Sequence, residues 1–397
     1  MHDVLVVGSG FSGFWAAMAA KRLLADGGEV TLLAREPVLQ IRPRLYEAHP
    51  EELAVDLSPL LTTAGVRFVP GDAQTLDPDR RIVGVAGGAE LPYRRLVVAT
   101  GSQMQRPSVL GADAADAIDT QAEALAFDRR LAQVARECAE PVVAVIGAGF
   151  TGIELALELR DRLALHGGEA VGERARIVLI GRSATVGATL GIGPHATIRA
   201  ALEAARVELL LGVAVAALDD GQVTLADGRR LAADAVVLTT GMRAAPFAAQ
   251  VPGMRDALGR VLVDGALQAP EAAGVFVTGD AAAADTGDGH LTLQSCQHAL
   301  QLGRYAGENA ARDLLGLPLL TYRQPDYVTC LDLGRSGAVF TRGWERVVTE
   351  TGAAAKARKR RINTEVIYPP RAASRAELLE RARVAGSAEP SEACVAQ

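Results

Sequence analysis

The chain has 397 residues, of which 49% are hydrophobic and only 4% aromatic, and its net charge is −6 at neutral pH. That length supports two or three domains with sizeable cores, and the apolar content excludes a disordered chain. The negative charge argues against nucleic acid as a partner, and the four cysteines (Cys138, Cys296, Cys330 and Cys394) lack CxxC or CxxxxC spacing, so neither a disulfide framework nor a metal site is expected.

Met1-His2-Asp3 runs straight into the apolar Val4-Leu5-Val6-Val7, so no signal peptide is expected. No apolar run is long enough to span a bilayer. A cytoplasmic location is expected, with peripheral contact at the inner membrane face as the other reading.

The apolar run predicts a parallel strand covered on both faces. It leads into Gly8-Ser9-Gly10-Phe11-Ser12-Gly13 and then a helical stretch. This strand, glycine turn and helix form a GxGxxG dinucleotide cradle. Gly8 makes the turn, Gly10 lets the backbone approach a pyrophosphate, and Gly13 lets helix and strand pack closely. Phe11 and Ser12 lie at the helix N-terminus, whose free N–H groups favour phosphate.

Glu29–Arg35 reads as the second strand. Its end normally carries an acidic residue for a ribose, but Ala34 stands there, followed by Arg35 and Glu36. Arg35 is either a substitute contact or a solvated strand-end charge. Arg42 and Arg44 flank Pro43 and are suited to pyrophosphate oxygens. Residues 66–99 read as short strands that end at Thr100-Gly101. Asp119–Cys138 has helical periodicity, with Asp119 or Thr120 as N-cap.

The cradle then recurs. Val142–Ile146 leads into Gly147-Ala148-Gly149-Phe150-Thr151-Gly152 and a helix bearing Glu154. The spacing from Gly8 to Gly101 and that from Gly147 to Gly241 differ by one residue. Two cradles imply two dinucleotides, most economically FAD in the first and NAD(P)H in the second. Thr100-Gly101 then lie under the flavin. Glu154, one turn into its helix, falls near the nicotinamide end or is a solvated carboxylate. At the second ribose position Gly181 replaces the acid and Arg182 follows, which leans toward NADPH.

Beyond Gly241 the chain is expected to return to the first domain. Gly274–Ala281 is a strand ending in Gly279-Asp280, and Asp280 is suited to ribityl hydroxyls. Leu293–Ala311 reads as a helix that places Gln297 and Gln301 on one face. Short β-like runs at 327–331 and 338–340 precede a basic cluster (Lys356, Arg358, Lys359, Arg360, Arg361), read as a solvated face or an anchor for anionic lipid or an acidic partner. The last dozen residues are expected to fray.

The predicted fold class is α/β: two Rossmann-like dinucleotide-binding domains, the second inserted in the first, and a small C-terminal α+β segment. The expected boundaries are 1–118 with 245–320 for FAD, 119–244 for NAD(P)H, and 321–397 for the interface or substrate segment.

Two GxGxxG turns, two Thr-Gly endings and Gly279-Asp280, all in order over residues 3–315, resemble the pyridine nucleotide–disulfide reductase-like flavoproteins. Within them the Val30–Leu33 strand running into a loop with Leu45-Tyr46, and the Cys296-Gln297-xxx-Gln301 helix, are similar to type II NADH dehydrogenases. That resemblance implies hydride transfer from NAD(P)H through FAD to a quinone or quinonoid small molecule. Gln297 and Gln301 would then orient the acceptor, and His298 would be a proton donor or a packed core residue. Arg42-Pro43-Arg44-Leu45 is also similar to a ferredoxin reductase-like loop, which implies an FAD contact for Arg42. The departures are Ala34 and Gly181 at the ribose positions and the lack of an amphipathic membrane helix. A reductase of a small electron-carrier protein and a non-turnover flavin or nucleotide sensor are the alternatives. A second copy of the chain is a further candidate partner.

Overall fold

The computed structural model describes residues 1–219 and 221–385. The last dozen residues, Cys394 among them, lie outside these. The first sheet has the parallel order Arg67–Pro70, Val30–Ala34, His2–Val7, Glu90–Val98, with Val275–Val277 beside the last. Alternate residues of its central strand serve two cores. Val4 and Val6 pack with the helices, while Leu5 and Val7 face the layer that holds Phe247, Ala248 and Val251. This is why the strand is apolar at every position rather than at every second one. Glu90–Val98 is long enough to pair twice, antiparallel with Ile82–Val85 at one end and parallel with the central strand at the other.

The second sheet repeats the plan. Its parallel order is Asp116–Ala117, Ala235–Leu238, Val142–Ile146, Arg176–Gly181, Val207–Leu211, with an antiparallel ribbon (Val215–Asp219, Gln222–Leu225, Arg230–Ala232) alongside. The chain leaves the first sheet through Ser102–Met104 and returns through Met242–Ala244. These two crossings pair antiparallel, so the second domain is inserted in the first, as the repeat implies.

The first helix, Phe11–Leu24, is buried on nearly every face because the helix Cys296–Leu314 covers the side away from the sheet. A Cβ at Gly303 would lie 2.3 Å from the Ser12 carbonyl oxygen, and one at Gly307 would lie 2.0 Å from that of Ala16. Only glycine lets these backbones meet. The expected helix at Leu293–Ala311 begins three residues later, at Cys296, where Ser295 caps it through His298 N. The helix expected from Asp119 spans Gln121–Glu137, and Thr120 with Glu123 forms the capping box.

Strands Val328–Asp332, Ala338–Arg342 and Val347–Thr351 make a third, antiparallel sheet backed by the helix Gly352–Arg361. This unit packs on the helix Phe150–Gly167 of the insert. The chain then returns to the first domain through the short helix Arg375–Glu380, which buries Leu378 and pairs Arg375 with Asp26 at 2.5 Å.

Candidate active site

The two glycine turns are nearly superimposable in their constraints. Gly8 and Gly147 have φ of +112° and +124°, and a Cβ at either would lie 2.3 Å from a carbonyl oxygen, of Ala99 or Thr239. A Cβ at Gly13 or Gly152 would lie 1.8 Å from the carbonyl oxygen of Gly8 or Gly147. Gly10 and Gly149 differ, since nothing lies within 4 Å of the Cβ that either would carry. Each is the N-cap of its helix, and neither helix start has a side-chain cap. The sequence keeps these two backbone faces bare and their N–H groups unspent, the arrangement that receives a pyrophosphate.

Buried polar atoms without partners lie near the first turn. Thr100 Oγ1 and Thr278 Oγ1 are among them, and so is Gln297 Nε2 at the start of the covering helix. Asp280 accepts a hydrogen bond from Ser102 Oγ at 2.7 Å. Burial raises its carboxyl pKa, against the pull of Arg42 and Ser102. Gly279 (φ +65°) must be glycine, because a Cβ there would lie 2.4 Å from Ser12 Oγ. A bare turn, unpaired hydroxyls and a half-buried carboxylate fit the pyrophosphate and polyol of a flavin dinucleotide.

Arg42 is placed at the crossing between domains. Its Nε donates to Asp119 O at 3.1 Å, its Nη1 to Ser102 O and Oγ at 3.1 and 3.2 Å, and its Nη2 to the Asp119 carboxylate. It reaches Asp280 through Ser102. Arg44, the other arginine read as suited to pyrophosphate, is instead spent on Glu47 and on Tyr368 Oη, the latter at 2.8 Å. Arg35 is 83% exposed and lies 3.7 Å from Asp72. Arg182 is exposed, and among the described residues it forms no ion pair. Gly181 precedes it for a steric reason, since a Cβ there would lie 2.7 Å from Ala148 Cβ.

Glu154 is not a solvated helix carboxylate. It is 2% exposed and receives Lys359 Nζ at 2.8 Å and Asp332 N at 2.9 Å, both on Oε1. Burial lifts its pKa to about 7, with Lys359 opposing the rise. Lys359 also lies over the rings of Tyr46 and Phe150, at 5.6 and 5.5 Å from their centres. All three structural units therefore meet here. Reading the basic cluster as a solvated face is corrected for three of its members. Lys359 is buried against Glu154, Lys356 pairs with Asp332 and lies 3.8 Å from Glu158, and Arg358 pairs with Glu350. The helical period carries the reason: Ala355 and Lys359 are four apart and are the buried residues of this helix, Ala355 against Cys330, Ala338 and Phe340 of the third sheet and Lys359 against Glu154.

Glu158, one turn beyond Glu154, is also lifted to about 7 by burial. An acid whose folded pKa exceeds its ordinary value of 4.5 is stabilised in its protonated form, so its ionisation costs folding free energy as pH rises from about 4.5 to about 7. Glu158→Gln removes that cost. Its stability relative to the parent should rise by about 1–3 kcal/mol between pH 5 and pH 8, read from urea midpoints at each pH. A difference that is flat with pH, or falls, contradicts the assignment.

His298 is fully buried, with Nδ1 3.1 Å from Leu293 O, and burial lowers its pKa to about 4. It is neutral at pH 7, and its Nε2 is buried without a partner. Its neighbour Cys296 is pushed up to about 11, so its thiol is not an ionised nucleophile at neutral pH. Gln301 is half-buried one turn further along the helix. The sequence does not single out Ser102 or Asp332, and it does not show that Lys359 is buried. For Lys359 the spacing to Ala355 was the available signal; Ser102 had none.

No helix among the described residues is long and apolar enough to cross a membrane. Comparisons with known proteins agree with the geometry. An NADH dehydrogenase-like protein of Mycobacterium tuberculosis is 43% identical over 392 residues, covering 96% of this chain and 98% of its own. The demethylphylloquinone reductase NdbB of Synechocystis is 27% identical over 85% of this chain and 86% of its own. The structure of NDH2 from Plasmodium falciparum shares the fold at a TM-score of 0.78 and 11% identity, covering 96% of this chain and 97% of that one. The family model for pyridine nucleotide-disulphide oxidoreductases matches residues 2–303. The chain belongs to that family of flavoprotein oxidoreductases.

Proposed function

We propose that this protein is an NAD(P)H:quinone-type oxidoreductase that takes hydride from NADPH in preference to NADH and reduces a quinone or quinonoid small molecule. The observation that carries the reading is the pair of bare cradles, at Gly10 and at Gly149, in domains joined by one paired crossing. A flavin bound at the first cradle supplies the two-electron relay between donor and acceptor.

The chain's residues do the positioning. Residues 1–118 and 245–320 hold FAD through Gly8, Gly10, Phe11, Ser12, Gly13, Thr100, Gly101, Gly279 and Asp280. Residues 119–244 hold the nicotinamide dinucleotide through Gly147, Gly149, Phe150, Thr151, Gly152 and Gly241. Arg42 fixes the angle between these domains and sets Asp280 through Ser102. Glu154, paired with Lys359, ties the helix of the third unit to the insert. Of the segment 321–397, the described residues up to 385 close the acceptor end, with Gln297, Gln301 and His298 on the covering helix. The quinonoid acceptor is supported by the names of relatives that reduce quinones. A cytoplasmic protein in peripheral contact with the membrane that holds such acceptors fits this reading. The internal pairing of Lys356, Arg358 and Lys359 weakens the carrier-protein reading, which needed a free basic patch.

NADPH preference is supported by the missing ribose acid at Gly181 and by exposed Arg182 beside it. Anaerobic bleaching of the flavin near 450 nm tests both halves. NADPH should bleach the protein faster than equal NADH, and a soluble quinone should restore the colour. Arg182→Ala should raise the NADPH concentration for half-maximal rate about tenfold and leave that for NADH within twofold. Protein that neither nucleotide bleaches would sink the reductase reading.

A further inference from the structure

Four arginines are buried in the described residues: Arg162, Arg260, Arg312 and Arg346. The first three each have a carboxylate, from Asp128 at 2.8 Å, Asp256 at 2.7 Å and Glu308 at 2.9 Å. Arg346 has none. It is 6% exposed, and its Nη1 is buried without a hydrogen-bond partner. Its guanidinium carbon lies 4.1 Å from the centre of the Tyr327 ring. A desolvated cation is costly unless paired, and the Tyr327 ring and hydroxyl offset only part of that cost.

The position is nonetheless built. Arg346 holds a left-handed backbone, φ +54°. Two glycines of the insert make room for it: a Cβ at Gly191 would lie 2.8 Å from Arg346 Cγ, and one at Gly193 would lie 2.4 Å from Arg346 O. Beneath it, Tyr327 stacks on Trp344 at 4.6 Å and on His298 at 5.3 Å, with planes within 9° and 6°. The stack leads to the covering helix, where His298 Nε2 and Gln297 Nε2 are also buried and unpaired. A costly cation held by a strained backbone, against rings that carry further unpaired polar atoms, is a site whose counter-charge arrives with a ligand.

We propose that Arg346 is the anion subsite of the acceptor pocket, and that the acceptor is a planar quinonoid molecule bearing a carboxylate or an ionised hydroxyl. The negative oxygen accepts from Arg346 Nη1, and His298 Nε2 supplies a second polar contact. This inference rests on the quinone reading and narrows it to acidic acceptors.

The test uses the flavin-loaded protein and two inert probes, 1-hydroxy-2-naphthoate and its uncharged amide, titrated by calorimetry. The naphthoate should bind at least tenfold tighter than the amide. Arg346→Met should remove that preference, and Arg346→Lys should keep part of it. Saturating NADP⁺ should leave naphthoate affinity within twofold; displacement would assign the cation to the nucleotide's phosphates and overturn the proposal. Equal affinity for acid and amide in the unaltered protein would overturn it as well, even if the Arg346 variants fail to fold. Turnover with neutral 2-methyl-1,4-naphthoquinone is measured beside these titrations. Its absence counts against the quinone reading, whereas the acid preference is decided by binding alone.

Discussion

Lys359→Met should destabilise the folded chain by about 3–5 kcal/mol, the cost of leaving one member of a buried ion pair without its partner. The carboxylate left behind is Glu154, 2% exposed and already lifted to about 7 with the lysine in place. Without the ammonium at 2.8 Å it can keep its charge only at a high desolvation cost, or take up a proton. The companion Glu154→Gln keeps an oxygen for Asp332 N and removes the charge. The double variant Lys359→Met/Glu154→Gln should therefore recover more than half of the loss, because replacing a whole buried pair costs far less than breaking it. Urea unfolding of the four proteins at pH 7.5 closes the cycle. A single variant within about 0.5 kcal/mol of the parent, the range of ordinary surface changes, would show that the pair is not buried in solution.

The same pair marks where the sequence was legible and where it was not. Strand, turn and helix at Val4–Gly13 and Val142–Gly152 are local constructions. Their glycines answer to atoms within the turn or at the end of a neighbouring strand, so the motif carries its own structural context. Return of the chain to the first sheet was legible because the repeat had an end, at Gly241, with apolar strand-like residues left over. Glu154 and Lys359 lie more than two hundred residues apart, and each alone looks like an ordinary helix charge. What joins them is the packing of the third sheet on the insert, a tertiary fact with no local trace. The same holds for Arg42. Its sequence context suggested phosphate, but its donors are taken by Ser102 and Asp119, which only the paired crossing brings within reach. For Arg346 the sequence shows one more arginine in a turn; only burial without a carboxylate sets it apart.

Gly149→Ala and Gly152→Ala, three residues apart, should fail in opposite ways. At Gly152 the added methyl would lie 1.8 Å from the Gly147 carbonyl oxygen and 2.7 Å from Thr239 Oγ1. Backbone cannot yield as a side-chain tip can, so the helix must move off the strand, at a cost of about 3 kcal/mol or more. At Gly149 the backbone is extended, φ −90° and ψ −165°, a conformation alanine adopts freely, and nothing lies within 4 Å of the new methyl. Stability there should stay within about 0.5 kcal/mol, as for a substitution without a clash. The methyl would instead occupy the space through which a pyrophosphate approaches the helix N–H groups, and NADP⁺ affinity should fall at least tenfold by calorimetry. Both variants should stay yellow when folded, because the flavin belongs to the cradle at Gly10. Gly10→Ala supplies the mirror case: φ −68° and ψ −173° also suit alanine, so that variant should fold and emerge colourless. If Gly149→Ala binds NADP⁺ normally, the bare face at that position is not where the nucleotide sits. The assignment of the second cradle then fails, although the fold around it would be unchanged.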